Sequence, residues 1–411
     1  MLKISLNTLL FNCLFAGYIV AVFLYHIIED TWNFTYTDEI LSLVLISIYY
    51  IYVNKNERIN KEFFFLLCIF TFYTIYSCLI RVTSFNGIIM DALIQIKSYI
   101  AFYIVYSLKC KCTIKQKKKL KYLVMAAIPI LAFIGIAGDE MQGAIFGHNS
   151  RYATTICITG FIYLYCSKRE KKDVIITLCI WALGILSGRS KFYGFYALAV
   201  FLFGFMHLTY KTKLYSLKSL FTLLIISGII FIIAKEKILA YLIDGTQGEE
   251  MWARPALYAG TISVLKEYFL LGSGFGTYGT WASGVYYSPL YQRFGLDNVE
   301  GISPDYYDFI ADTFYPSLVQ YGVIGIGLFI LFWKTLICKS NQILKQNNDA
   351  ILYKMCILVI GFFFIESFTD STFTNNRGLY MMMLLGVFLS EHQQPKKQLQ
   401  NENSTNRRLP L

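Results

Sequence analysis

The sequence predicts an all-α protein that crosses a membrane many times. Three observations lead there. Of the 411 residues, 56% are hydrophobic and only 15% charged, where a soluble domain carries about 25% charged residues. Mean hydropathy is +0.50, too much apolar surface for water to surround. Apolar runs of about twenty residues recur along the chain, each long enough as a helix to span a ~30 Å hydrocarbon core.

Taken in order, the expected spans are Leu9 to Ile28, Glu39 to Val53, Phe63 to Ile80, Gly87 to Leu108, Leu120 to Ala137 and Tyr152 to Cys166. After them come Val174 to Ser187, Phe192 to Tyr210, Leu217 to Ala234, Phe314 to Trp333, Ala350 to Ser367 and Gly378 to Ser390. About twelve spans place both termini on one side. The first run is too long for a signal-peptide core and lacks an A-x-A site, so it is expected to stay as a span.

Charge supports this count, because short cytoplasmic loops gather Lys and Arg. Lys55, Arg58 and Lys61, the run from Lys109 to Lys121, Lys168 to Lys172, then Lys211, Lys213 and Lys218, and finally Lys339, Lys345 and Lys354 fall in alternate connections. Glu29, Asp30, Asp38, Asp139 and Glu140 mark the opposite side. The long connection at 235–313 then faces outward, both termini are cytoplasmic, and residues 1–390 form one transmembrane domain. Residues 391–411, polar and poor in apolar side chains, read as a disordered cytoplasmic tail. A formal charge of +11 is accounted for by this topology, without a nucleic-acid partner. The ten cysteines show no C-x-x-C pair and no histidine at metal spacing, so neither zinc nor a disulfide is expected.

The outward connection is the chemical centre of the sequence. Loops beyond about fifteen residues are functional or disordered, and its aromatic content argues for order. Basic residues on this side are few: Arg151 after His148-Asn149-Ser150, Arg189 and Lys191 in a tight turn, Arg254 at the start of the loop, and Arg377 in the last outer turn. Each could snorkel to headgroups. A guanidinium fork also matches phosphate oxygens, which points to a lipid-linked phosphate or pyrophosphate.

Asp305, Asp308 and Asp312 recur at intervals that would share one face if the segment were helical, and bunched carboxylates raise one another's pKa. Asp312, at the mouth of an apolar span, is the best placed to orient or deprotonate a hydroxyl. Trp252, Tyr258 and Trp281 suit either an interfacial belt or stacking on sugar rings. Pro255 to Leu271 is expected as a helix with proline in its first turn. The glycines of GSGFGTYG, Gly272 to Gly279, then supply tight turns rather than a dinucleotide loop, since no strand precedes them.

Three segments in this order resemble the superfamily of O-antigen polymerases and O-antigen ligases of bacterial envelope polysaccharides. LSGRSKFYGFYAL is similar to its outer arginine turn, ARPALYAGTISVLKEYFLLGSGFGTYG to its arginine, helix and glycine segment, and DTFYPSLVQYGVIGIGLFILF to its last motif helix. The resemblance implies a GT-C-like, metal-independent glycosyltransferase with no cofactor, acting at the inner membrane on undecaprenyl-pyrophosphate-linked oligosaccharide. Arg189 and Arg254 would hold the departing pyrophosphate. Where ligases carry a histidine this chain has Asp312, which favours the polymerase branch; a ligase joining polymer to a lipid A core is the alternative. A transporter is a third reading, with Asp91, Gln95 and Lys97, or Glu366 and Asp370, lining a cavity. A chain-length regulator stays open as a partner.

Overall fold

A computed structural model describes residues 5–56, 59–109, 112–206 and 252–391. The expected span Leu217 to Ala234, the lysines at 211–218, the first part of the long loop and residues 392–411 lie outside them. Among the described residues every regular element is helical.

The helices are α1 (Leu6–Gly17), α2 (Tyr25–Trp32), α3 (Thr37–Asn56), α4 (Lys61–Ile80), α5 (Phe85–Leu108), α6 (Ile114–Ala137), α7 (Asp139–Phe146) and α8 (Asn149–Cys166). There follow α9 (Lys171–Ala182), α10 (Ser190–Val200), α11 (Ala253–Glu267), α12 (Trp281–Val285), α13 (Pro289–Arg293), α14 (Gly322–Asn347), α15 (Ala350–Glu366) and α16 (Asn376–Glu391).

Local chemistry fixes the ends. The Asn60 side chain accepts from the Glu62 and Phe63 N–H groups at the start of α4, and Ser84 caps α5 through Gly87. Thr113 and Gln116 close a reciprocal box on α6. Arg81, Lys109 and Asn348 stop α4, α5 and α14 in the left-handed region.

Among the described residues five spans are long and apolar enough to cross a membrane: Leu6–Phe23, Lys61–Ile80, Phe85–Leu108, Ile114–Ala137 and Tyr315–Asn347. A sixth arises if the pair Tyr25–Trp32 and Thr37–Asn54, bent by 116°, is counted as one. This is a helical protein with the make-up of a multi-pass membrane protein.

Other expected spans are shorter helices: α9, α10, α15 and α16 have 12, 11, 17 and 16 residues. For α15 and α16 the reason is burial, whereas α9 keeps Ile175 and Cys179 exposed. A helix of sixteen residues is about 24 Å long, less than the hydrocarbon thickness, but α16 is buried from Asn376 to Ser390 and meets protein rather than lipid. Gly386 lets it approach α5 closely, since a Cβ there would lie 3.0 Å from the Phe102 carbonyl oxygen. Tyr380 donates to the Leu14 carbonyl at 2.7 Å, and Tyr18 shares a 2.8 Å bond with Thr159, so α1, α8 and α16 are pinned by satisfied buried groups.

Around this centre stand α3, α4, α6 and α14, which expose Leu43, Phe64, Leu79, Ile136 and Ile330. Such faces on a water-soluble monomer would associate; on helices of this length they suit a bilayer.

Polar contacts collect at two opposite ends. At one, Arg169 binds Asp349 and Glu391, both at 2.6 Å, and Lys117 binds Glu391 at 3.0 Å. These belong to connections that the charge alternation assigns to a single side. The described part of the long connection, from residue 252, sits at the other end as a folded unit with its own core, in which Leu257, Val264, Tyr278, Tyr291 and Ile302 are buried.

Candidate functional site

The folded loop is held by its glycine segment. Gly272, Gly274, Gly276 and Gly279 all have positive φ, and the turns they allow aim backbone N–H groups at buried side chains. Gly276 N–H donates to Asp91 Oδ2 at 2.7 Å, Thr277 N–H to Gln320 Oε1 at 2.8 Å, and Phe275 N–H to Ser77 Oγ at 2.8 Å. Asp91 and Gln95 therefore serve this anchor, and Lys97 is taken by Asp38 at 2.5 Å and Glu39 at 2.7 Å.

Helix α11 runs from Ala253 to Glu267, with Pro255 in its first turn as expected, but it stops at Tyr268, whose backbone leaves the helical region, short of the expected end at Leu271. Arg254, its second residue, forms an ion pair with Asp312. One turn on, Tyr258 donates its hydroxyl to the Phe368 carbonyl at 2.9 Å. Phe314 and Tyr315 N–H groups reach the Ser367 carbonyl at 3.2 and 3.3 Å. Two of these contacts lay the Asp312 segment against the turn after α15, and the third lays α11 there.

That turn carries the densest charge. Lys191 Nζ lies 2.7 Å from Glu366 Oε2 and 2.6 Å from Asp370 Oδ2. Thr372 Oγ1 donates to Asp370 Oδ1 at 2.8 Å. Arg377, only 6% exposed, makes long contacts, 3.7 Å to Asp370 and 3.4 Å to Thr154, and its Nε has no hydrogen-bond partner among the described residues. Arg151 binds Glu29 at 2.7 Å, and its guanidinium lies over the Tyr25 ring. Arg189 contacts His148 Nε2 at 2.8 Å, and no carboxylate among the described residues lies within ion-pair distance of it.

The fields of these groups overlap. Burial pushes the Asp312 carboxyl above its ordinary value against the opposing Arg254, with Asp370 adding repulsion and Lys191 attraction. Burial also opposes ionisation of Asp370, yet Lys191 and Arg377 hold it well below the carboxylate range. Burial and then the Arg189 charge lower His148 to about 4, so the ring is neutral at physiological pH. A neutral imidazole has one acceptor nitrogen. It can satisfy Ser150 N–H, which approaches Nδ1 at 3.2 Å, or the Arg189 guanidinium, but not both.

The fold thus gathers Arg189, Lys191, Arg254, Arg151, Arg377 and Asp312 from distant stretches into one polar cluster. Asp305 and Asp308 are elsewhere. They are exposed residues of an irregular segment, so the expectation of three carboxylates on one helical face fails: Gly301 turns the chain with φ +81°, and no helix forms before the 3-10 turn at Tyr315. Trp252 and Trp281 are exposed, Trp281 beside Tyr307 with ring centres 5.8 Å apart. Tyr291 of the same loop is buried in its core.

Sequence reasoning missed His148 and Glu29 and left Glu366 and Asp370 to a transport reading. One signal was available: His148 is one of four histidines, three residues before Arg151. Among the described residues no three His, Cys, Asp or Glu side chains form a set that could hold a metal ion. No family model matches the chain, and no curated protein matches it.

Proposed function

We propose that this chain is a bacterial inner-membrane polysaccharide polymerase, which moves a growing glycan from undecaprenyl pyrophosphate to a hydroxyl of the next lipid-linked repeat unit. On this reading the chain has about twelve spans with cytoplasmic termini, and the cluster faces outward. The acceptor oxygen bonds to the anomeric carbon of the donor as the bond from that carbon to the pyrophosphate breaks, and the pyrophosphate leaves with the electron pair. Asp312 takes the hydroxyl proton, for which its raised pKa suits it. Arg254 and Arg189 stabilise the negative charge that develops on the leaving group. Arg151, Lys191 and Arg377 line the same cluster, each beside a carboxylate that offsets its charge, and the aromatic loop side chains meet the sugars.

The observation that carries this reading is the Arg254 and Asp312 pair within a polar cluster built from the three segments that resemble the superfamily. A phosphate arriving at Arg254 would replace Asp312 as its partner and release the carboxylate to act as base. Lys191 with its two carboxylates, and Asp91 with the glycine loop, are occupied in structural contacts, which weighs against transport.

Arg189→Ala and Arg254→Ala should each abolish long chains on gels of surface polysaccharide while the protein still reaches the membrane. Full-length chains in both variants would refute the assignment. Deletion of the gene separates the two enzymes: loss of a polymerase leaves core plus one repeat, whereas loss of a ligase leaves bare core with lipid-linked polymer accumulating.

A further inference from the structure

Two apolar spans give a scale of height across a bilayer. Lys339 Nζ lies 2.8 Å from Glu62, which puts the charged stretches of α14 and α4 at one level, on the side where lysine gathers. From there α4 turns Phe64, Phe72, Ile75 and Leu79 outward. At 1.5 Å per residue, Arg81, where this helix stops, stands about 28 Å from the Glu62 level. That rise matches the ~30 Å hydrocarbon core.

The segment after α11 lies below the far boundary of that core. The Tyr76 hydroxyl donates to the Gly272 carbonyl at 2.8 Å, and Phe275 N–H donates to Ser77 Oγ at 2.8 Å. Both side chains leave α4 only about 21–23 Å from the Glu62 level. α14 gives the same height: Val323 and Ile324, whose N–H groups donate to the Phe269 and Leu270 carbonyls at 2.9 and 3.2 Å, stand about 22–24 Å from Lys339. Helix tilt shortens these distances along the bilayer normal and so deepens the segment. Lys334, exposed between Ile324 and Lys339, can snorkel to the lysine side; a boundary drawn at Lys334 would deepen the segment further.

We propose that residues 268–279 re-enter the leaflet opposite the lysine-rich connections, with Phe269 and Leu270 among the acyl chains about 6–9 Å inside the hydrocarbon boundary. Two further observations fit this depth. Phe269 and Leu270 are 56% and 62% exposed, beside the exposed Val323 and Ile324 on the lipid-suited flank of α14. Irregular backbone is tolerated at membrane depth only where the protein satisfies its polar groups, and here Ser77, Asp91 and Gln320 receive the N–H groups of the glycine turns. Above the membrane, water could serve them. Glu267, paired with Arg293 at 2.8 Å, marks the water edge two residues before the apolar tip. Insertion requires only that α4 and α14 cross a bilayer, whatever reaction the charged cluster performs. Because α11 joins this tip to Arg254 as one helix of about 22 Å, the insertion fixes how high the cluster stands over the leaflet.

The test uses full-length protein in phosphatidylethanolamine and phosphatidylglycerol vesicles, with the exposed Cys68, Cys179 and Cys338 replaced and a nitroxide on one new cysteine at a time. At Phe269→Cys and Leu270→Cys the label should meet dissolved oxygen far more often than a water-soluble nickel chelate, as at the lipid-facing Phe72→Cys. The ratio of the two collision rates should exceed that at Asp305→Cys, on the exposed part of the loop, at least tenfold. A ratio equal to that at Asp305→Cys would put the segment in water and overturn the proposal. Shielding from both reagents, with spin–spin broadening between labels, would also overturn it, by showing a second copy on this face. A second measurement needs no substitution: phosphatidylglycerol with a diazirine on its acyl chain should photolabel the wild-type protein at residues 268–271, and absence of label there would count against insertion. Neither measurement needs turnover, so both stand apart from chain length in the Arg189 and Arg254 variants.

Discussion

At the scale of single residues, what matters is which charges are already compensated and which can be redirected. Lys191 is committed to Glu366 and Asp370, and removing one partner of such a buried pair costs about 3–5 kcal/mol, so these three residues hold the site together. Arg189 differs, since its nearest partner is an uncharged imidazole. Asp312 also differs, half-buried and easily freed if Arg254 turns to another anion. Its raised pKa carries a sign that can be read. A base must be ionised, so the rate of chain extension should rise with pH through the folded-state value of Asp312, above the 3.8 of a free aspartate. A pH–rate profile of purified protein with lipid-linked repeat units checks this. Asp312→Asn should remove both that limb and most of the rate, and an Asn variant with unchanged rate would exclude Asp312 as the base.

Among the elements, the glycine segment is what ties the folded loop to the bundle. Four left-handed positions let successive N–H groups reach Ser77, Asp91 and Gln320, tying the loop to α4, α5 and the turn before α14. Two glycines give a controlled comparison. Gly272 has φ +77°, and a Cβ there would overlap the Gln320 carbonyl; Gly295 has φ +68° with open space around it. Gly295→Ala meets only the left-handed strain of roughly 1–2 kcal/mol, whereas Gly272→Ala must also displace backbone. Limited proteolysis should therefore cut residues 280–310 markedly faster in Gly272→Ala than in Gly295→Ala. Equal protection would mean that this contact does not hold the loop.

For the whole molecule, the arrangement is a buried centre of α5, α8, α15 and α16, a lipid-suited rim, and two polar ends with different tasks. One end fastens connections through Arg169, Lys117 and Glu391, and the other carries the candidate site. Orientation is testable directly once the exposed Cys68, Cys179 and Cys338 have been replaced. A cysteine at Trp281 should react with an impermeant maleimide in intact spheroplasts, and one at Lys119 only after permeabilisation; the reverse pattern would place the site in the cytoplasm and end the proposal. The sequence by itself determined the helical class, the positions of the long spans though not all their ends, the charge alternation and five cations worth watching, because apolar runs, caps and Lys or Arg placement are local properties; the span expected to stop at Trp333 runs on to Asn347, and the first stops at Phe23 rather than Ile28. It also carried α11, whose proline and apolar spacing are local signals. The tertiary structure alone decided that Lys191 is held by Glu366 and Asp370 from a stretch some 175 residues further on, that Asp312 faces Arg254 while Asp305 and Asp308 do not, and that short helices such as α16 lie inside the bundle. Pairing of distant charges depends on which faces meet once the helices have packed, and no period in the chain encodes that meeting.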